Sequence, residues 1–175
     1  MKHVLRLSAL AILFALWAAV PAPGQTPAAV AKLDLNQFIG TWYVIERLPI
    51  HREKLCLGDE MVLYALGDKH DTFQVVTSCA LKGDNSNFWN EKGKLDPAGS
   101  GALKLRRFLI LHSKYWVFAN APDYAWMVVG TPNHKSLWIL SKATTLAPDA
   151  LSAAAAQAST AGFDPAKLVK IPQQK

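Results

Sequence analysis

Leu35-Asn36-Gln37-Phe38-Ile39-Gly40-Thr41-Trp42-Tyr43-Val44-Ile45-Glu46 is the stretch on which the reading of the fold turns. Gly40 suits a constricted bend, because it accepts backbone conformations closed to other residues. Trp42 to Ile45 then has the aromatic and β-branched composition of a strand. A large indole placed directly after a tight bend reads as a plug at the narrow end of a curved sheet.

Working outward, short β-rich runs recur between turn residues. Met61–Leu66 and Thr72–Thr77 flank Leu66-Gly67-Asp68-Lys69, which reads as a tight hairpin turn. Asn87–Leu95 and Ala102–Ile110 flank Asp96-Pro97-Ala98-Gly99-Ser100-Gly101, and Lys114–Ala119, Tyr124–Gly130 and Ser136–Ser141 follow. Eight candidate strands with short connections suggest an antiparallel sandwich or an up-and-down barrel. Beyond them Pro148 and Asp149 suit the first turn of a helix, Ala150–Ala161 is rich in alanine, and Gly162 with Asp164-Pro165 marks its end. Lys167–Ile171 could add a short edge strand. A mainly β chain with one terminal helix favours a closed eight-stranded barrel, which leaves no long edge to protect.

These residues, taken in order, resemble the lipocalin family, in particular its bacterial and apolipoprotein D-like subgroup. Gly40-Thr41-Trp42-Tyr43, with Leu35 and Phe38 before it and Glu46 and Pro49 after, is similar to the first lipocalin motif. Val128-Val129-Gly130, Leu137-Trp138-Ile139-Leu140-Ser141-Lys142, the terminal helix and Leu168-Val169 are similar to the late part of that subgroup. The resemblance runs from about Leu33 to the C-terminus and is least diagnostic between Lys69 and Arg107. It implies structural roles for Gly40, Trp42 and Lys142, with Lys142 lying across the Trp42 ring where the family more often has arginine. A lysine lacks the flat guanidinium, so the contact is expected to be weaker and less directional. The second family motif is altered, to Asn120-Ala121-Pro122 or Pro122-Asp123-Tyr124, so a different loop cap is expected there.

The resemblance implies a small hydrophobic ligand, a fatty acid, lysophospholipid or similar lipid, held in the barrel. It maps Trp138, with Leu140 on the same face, and Tyr115 onto the cavity wall. Strand alternation from Trp42 puts Val44 and Glu46 inward, and Tyr64, Phe108 and Trp126 are further candidates. For each aromatic the alternative is ordinary packing at the barrel base or beneath the helix. Glu46 could hold a polar head group at the mouth, or bridge to Arg47 or Lys54 outside, since an inward carboxylate needs a partner or water.

Lys2 and Arg6, the apolar Leu7–Val20 and Ala22-Pro23-Gly24 have the pattern of a secretory signal peptide over residues 1–24. Residues 25–32 read as a flexible leader and 33–175 as the barrel domain. Cleavage removes two of the 19 basic side chains and none of the 13 acidic ones, leaving a charge of +4. The first cysteine, Cys56, lies inside the domain, so the expectation is a soluble periplasmic or secreted protein and not a lipoprotein. With a two-residue hairpin loop Cys56 and Cys79 fall opposite each other and can form a disulfide; a turn widened to His70 or Asp71 would require a bulge.

No nucleophilic triad, paired carboxylates or metal-ligand spacing is present, so no catalytic residue, metal or cofactor is expected. His51, His70, His112 and His134 fall at strand ends or in loops. A lipid-directed enzyme on the same fold is the alternative. Lys92, Lys94, Lys104, Arg106 and Arg107 gather on neighbouring strands, but Lys104 and Arg106 alternate with Leu103 and Leu105 as on a barrel wall, charged outside and apolar inside. That argues against nucleic acid and leaves peripheral contact with an anionic membrane face open. A monomer or weak dimer is expected.

Overall fold

The computed structural model describes residues 28–106 and 112–174. The proposed signal peptide, Gln25–Pro27 of the leader, Phe108 and the end of the strand expected through Ile110 lie outside the described residues.

Among the described residues the chain runs α1 (Leu35–Phe38), β1 (Gly40–Arg47), β2 (Gly58–Leu66), β3 (Thr72–Ala80), β4 (Ser86–Lys94), β5 (Ala102–Arg106), β6 (His112–Asn120), β7 (Trp126–Gly130), β8 (Leu137–Ser141), α2 (Pro148–Thr160) and β9 (Val169–Lys170). All pairings are antiparallel, each strand with the next from β2 to β8. The sheet closes because β1 pairs with β8 on one side and with β2 on the other. The result is an eight-stranded up-and-down barrel with one helix outside and β9 added beside β1. Closure satisfies the backbone groups that a flat sheet would expose at its edges.

Two apolar clusters explain why β7 and β8 are buried along their whole length. Met127, Val129, Trp138 and Leu140 point into the barrel with Trp42, Tyr64, Phe73 and Tyr115. Trp126, Val128, Leu137 and Ile139 point outward under α2, against Phe118 and Phe163. Ala154 and Ala158 of α2 are fully buried there, and their small side chains let the helix lie close to the wall. Gly162 ends the helix at φ +86, and Phe163 N donates back to Ala158 O at 3.0 Å.

Two details differ from the sequence reading. The β2–β3 turn is wider than two residues: Leu66 faces Phe73, and Gly67 N donates to Thr72 O at 2.9 Å. Thr72 Oγ1 donates to Lys69 O at 2.8 Å and holds the broader loop. The bulge between Gly58 and Met61 recovers only one residue of that shift; Cys56, which lies ahead of β2 with its N–H donating to Glu53 O at 3.1 Å, still bridges Cys79 with 5.5 Å between Cα atoms. The second half of the supposed mobile leader is anchored, because Val30 N donates to Val117 O and Val30 O accepts from Gly101 N. In the altered motif, Asp123 Oδ1 caps Ala125 N, and the Tyr124 hydroxyl accepts from Asp34 N at 2.9 Å.

Candidate functional site in the barrel lumen

The lumen has a closed floor and a polar roof. At the floor, Trp42 is fully buried and donates from Nε1 to Phe38 O at 2.8 Å. Lys142 Nζ stands 4.0 Å from the Trp42 ring centroid and donates to Ile39 O at 3.2 Å. Gly40 has φ +111, a value that strains any other residue. Phe38 packs 4.3 Å from Tyr64, centroid to centroid. Phe73 fills the space over Gly93, where even a Cβ would come within 2.3 Å of its ring. The narrow end is therefore a solid aromatic plug.

Above the plug the hydroxyls of Tyr64 and Tyr115 hydrogen-bond to each other. Burial raises the pKa of both, so they remain neutral. The Tyr115 ring lies 6.0 Å from Trp138. These two aromatics, with Val62, Val75 and Leu105, wall a cavity of about 70 Å³.

The single helical turn His51–Glu53 crosses the open end, and Ile50, Arg52 and Glu53 form the top of that cavity. Here a bulge between Val44 and Glu46 changes the face of β1. Beyond it Glu46 lies opposite the outward Ile139, whereas Arg47 lies opposite the inward Trp138. Arg47 Nη2 donates to Glu60 Oε1 at 2.8 Å, and Arg47 Nε stands 3.0 Å from Glu53 Oε2. All three side chains are buried. Burial opposes the charged guanidinium, but the Glu60 hydrogen bonds and both carboxylates outweigh it and raise the Arg47 pKa. For Glu53, burial and the neighbouring Glu60 carboxylate dominate and push its pKa up to about 7, against the pull of Arg47 and a 3.3 Å hydrogen bond from Trp138 Nε1. Beside them Arg52 pairs with Glu91 at 3.2 Å and lies 5.0 Å over the Trp89 ring. Arg52 Nε and Trp89 Nε1 are buried without a hydrogen-bond partner among the described residues.

Of the residues singled out from the sequence, Val44, Tyr64, Tyr115, Trp138 and Leu140 belong to the inner cluster. Only Tyr115 and Trp138 of these border the cavity; the others pack lower down. Trp126 belongs to the outer cluster beneath α2, because Met127 and Val129 take the inward positions of β7. Glu46 is turned outward by the bulge. Arg47, expected outside as a bridge to Glu46, is buried at the roof instead, and Arg52, Glu53, Glu60 and Glu91 were not among the expected site residues. One signal was available: Glu60 falls two residues before Val62 and four before Tyr64, in register with an inward-facing row.

The family model for a lipocalin-like domain matches residues 33–173. The chain belongs to this family. The outer membrane lipoprotein Blc of Escherichia coli K12 is 29% identical over 156 residues, covering 87% of this lipocalin and 86% of that protein. Temperature-induced lipocalin-1 of Arabidopsis thaliana is 26% identical over 152 residues, covering 82% and 81%. Among solved structures, insecticyanin of the tobacco hornworm Manduca sexta superposes with a TM-score of 0.66 at 20% identity, covering 88% of this lipocalin and 89% of that chain. Lobster apocrustacyanin A1 gives 0.62 at 17% identity, with 81% of each chain covered. At these identities the structural likeness concerns the barrel alone.

Proposed function

We propose that this lipocalin binds a small hydrophobic ligand, a fatty acid, lysophospholipid or related amphiphile, and carries or stores it outside the cytoplasm. The observation that carries this reading is the polarity gradient of the lumen. Its lower walls are aromatic and aliphatic, and its ionisable groups collect at the open end. That gradient suits an apolar tail pointing down and a polar head at the roof, where Arg52 Nε and Trp89 Nε1 offer two buried donors. Apolar burial would supply most of the affinity. The space above the plug among the described residues, about 70 Å³, is far below the roughly 300 Å³ at which ordinary ligand pockets begin. Loading therefore requires the His51–Glu53 turn to withdraw, and the ligand then occupies space that the turn now covers.

Native mass spectrometry of protein purified from its own compartment, followed by organic extraction, tests the reading. Recovery of one lipid per barrel supports it. An empty barrel that converts a lipid substrate instead supports catalysis, for which the specific observation is the near-neutral Glu53 carboxyl beside Trp138. Trp138→Ala should weaken ligand-induced fluorescence quenching, and an unchanged response would remove Trp138 from the site. Export as a soluble monomer or weak dimer belongs to the same proposal; the Cys56–Cys79 bridge supports an oxidising compartment. Fractionation and the intact mass of the mature chain test it, since a lipid-modified N-terminus would show an anchored protein.

A further inference from the structure

We propose that the outer wall of β4, β5 and β6 is a docking surface for an anionic phospholipid membrane. Strand register arranges the basic side chains of this wall as a grid. Lys92, Arg106 and His112 lie directly opposite one another in one row across the three strands, and Lys94, Lys104 and Lys114 in the next. All six are exposed. Like charges placed directly opposite across a sheet destabilise it, and here the arrangement occurs in consecutive rows. Among the described residues, Asp71 approaches the grid and pairs with Lys94 at 3.1 Å, and Asp96 lies within electrostatic reach of Lys104. The chain as a whole carries a formal charge of only +6, and five lysine and arginine side chains stand in this grid. A dense negative surface relieves their mutual repulsion.

Two features favour lipid over a soluble polyanion. The β2–β3 turn borders a hollow of about 290 Å³ beside the grid, lined by Lys69, Lys92, Lys94, Lys104 and Arg106, with Asp68 as its one acidic group. That is room for a phosphate-bearing head group among several donors. Beside the basic groups the same outer wall exposes a large apolar side chain: Phe88, 68% exposed and on the same face of β4 as Lys92. Such side chains gain by sinking between lipid head groups, whereas a dissolved polyanion offers them nothing. The grid faces away from the lumen, whose cavity is lined by the alternate residues Glu91, Leu105 and Ser113 on the inner face of the same strands.

The test is co-sedimentation of the disulfide-bonded mature protein with vesicles of phosphatidylglycerol in phosphatidylcholine, and with phosphatidylcholine alone. Binding is expected only to the anionic vesicles and should fall steeply with added salt. Each cation near such a surface is worth roughly a fivefold change in partitioning, so Lys104→Gln with Arg106→Gln should cost about 25-fold. Lys104→Glu with Arg106→Glu should cost more. The control, Lys135→Glu with Lys167→Glu, makes the same charge change on exposed residues elsewhere and should cost far less. Near-UV circular dichroism checks that each variant is folded, and the neutral pair keeps the test decisive if charge reversal disturbs the barrel. Equal losses in wall and control variants would overturn the proposal. So would equal binding to neutral vesicles, or tight binding of an oligonucleotide or inositol hexakisphosphate with none to vesicles. Protein stripped of lipid and protein loaded with lipid should bind anionic vesicles equally.

Discussion

The two ends of the barrel are closed by opposite means. The floor is sealed by aromatic volume, with Phe38, Trp42, Tyr64 and Phe73 interlocked and one lysine laid across the outside. The roof is closed by a short turn held through buried charge: Arg47 clasps Glu60 and Glu53, and a disulfide ties the following segment to β3. Packed aromatic volume has no switch, because its stability does not depend on protonation or redox state. Buried ion pairs and disulfides do respond to conditions. A barrel that must keep its floor shut and admit a ligand at its roof is served by that division.

The largest effect should come from breaking the charge cluster and comparing it with a break in the floor. Arg47→Leu strands two buried carboxylates and should cost about 3–5 kcal/mol near neutral pH. Trp42→Ala should cost a similar amount, about 3–5 kcal/mol, by leaving a cavity. Urea unfolding at about pH 5 and about pH 8 separates the two. The Arg47 variant should regain stability in acid as its carboxylates protonate, whereas the Trp42 penalty should stay constant. Equal pH dependence would mean the ends do not differ in kind.

Next comes the disulfide. Cys56 and Cys79 are 23 residues apart, and replacing both by alanine should cost about 3 kcal/mol on the chain-entropy account. The comparison predicts where the loss appears. Amide exchange in Leu48–Leu57 should accelerate most, while the Phe38–Trp42 floor should change little until global unfolding.

Much of this architecture was legible in the sequence. Alternation and turn residues revealed the strands, Gly40 and Trp42 revealed the floor through local geometry and sheer size, and the family resemblance set Lys142 across it. The cysteine pair was also legible, although the turn that seemed to align it is broader than supposed and Cys56 reaches Cys79 from the segment ahead of β2. The roof was hidden for a physical reason. A single bulged residue in β1 exchanges the two faces of the strand, so Glu46 was assigned the place that Arg47 occupies. Trp126 was misplaced differently: β7 is apolar on both faces, since one meets the lumen and the other α2, and its composition cannot say which face is which.

Glu53 gives the sharper form of the comparison. Its pKa rises from an ordinary value of 4.5 to about 7 on folding. The folded state therefore binds the proton more tightly than the unfolded chain. The stability linked to this group is fully present below pH 4.5 and is lost as pH rises through about 7. The shift corresponds to about 3 kcal/mol at most. Glu53→Gln should remove that part of the pH dependence, seen as a flatter profile of unfolding free energy across the same window. Ligand release measured over that window should follow the wild-type profile if charging Glu53 loosens the roof turn, and an unchanged release rate would confine Glu53 to stability alone.

The smallest effect belongs to Lys142. Its ammonium sits over Trp42 with one hydrogen bond to the backbone, and partial desolvation there lowers its pKa. A guanidinium can lie flat on the indole and present several donors at once, so Lys142→Arg should raise stability by about 0.5–1 kcal/mol. Lys142→Met keeps the length and apolar stem, removes the charge, and should lose a similar amount. Urea midpoints for both variants decide the matter. If both match the wild type, the floor is held by aromatic volume alone. If they move in opposite directions, the cation is a working part of the plug, and the contrast between the ends is one of proportion: a single charge outside the floor against a buried cluster at the roof.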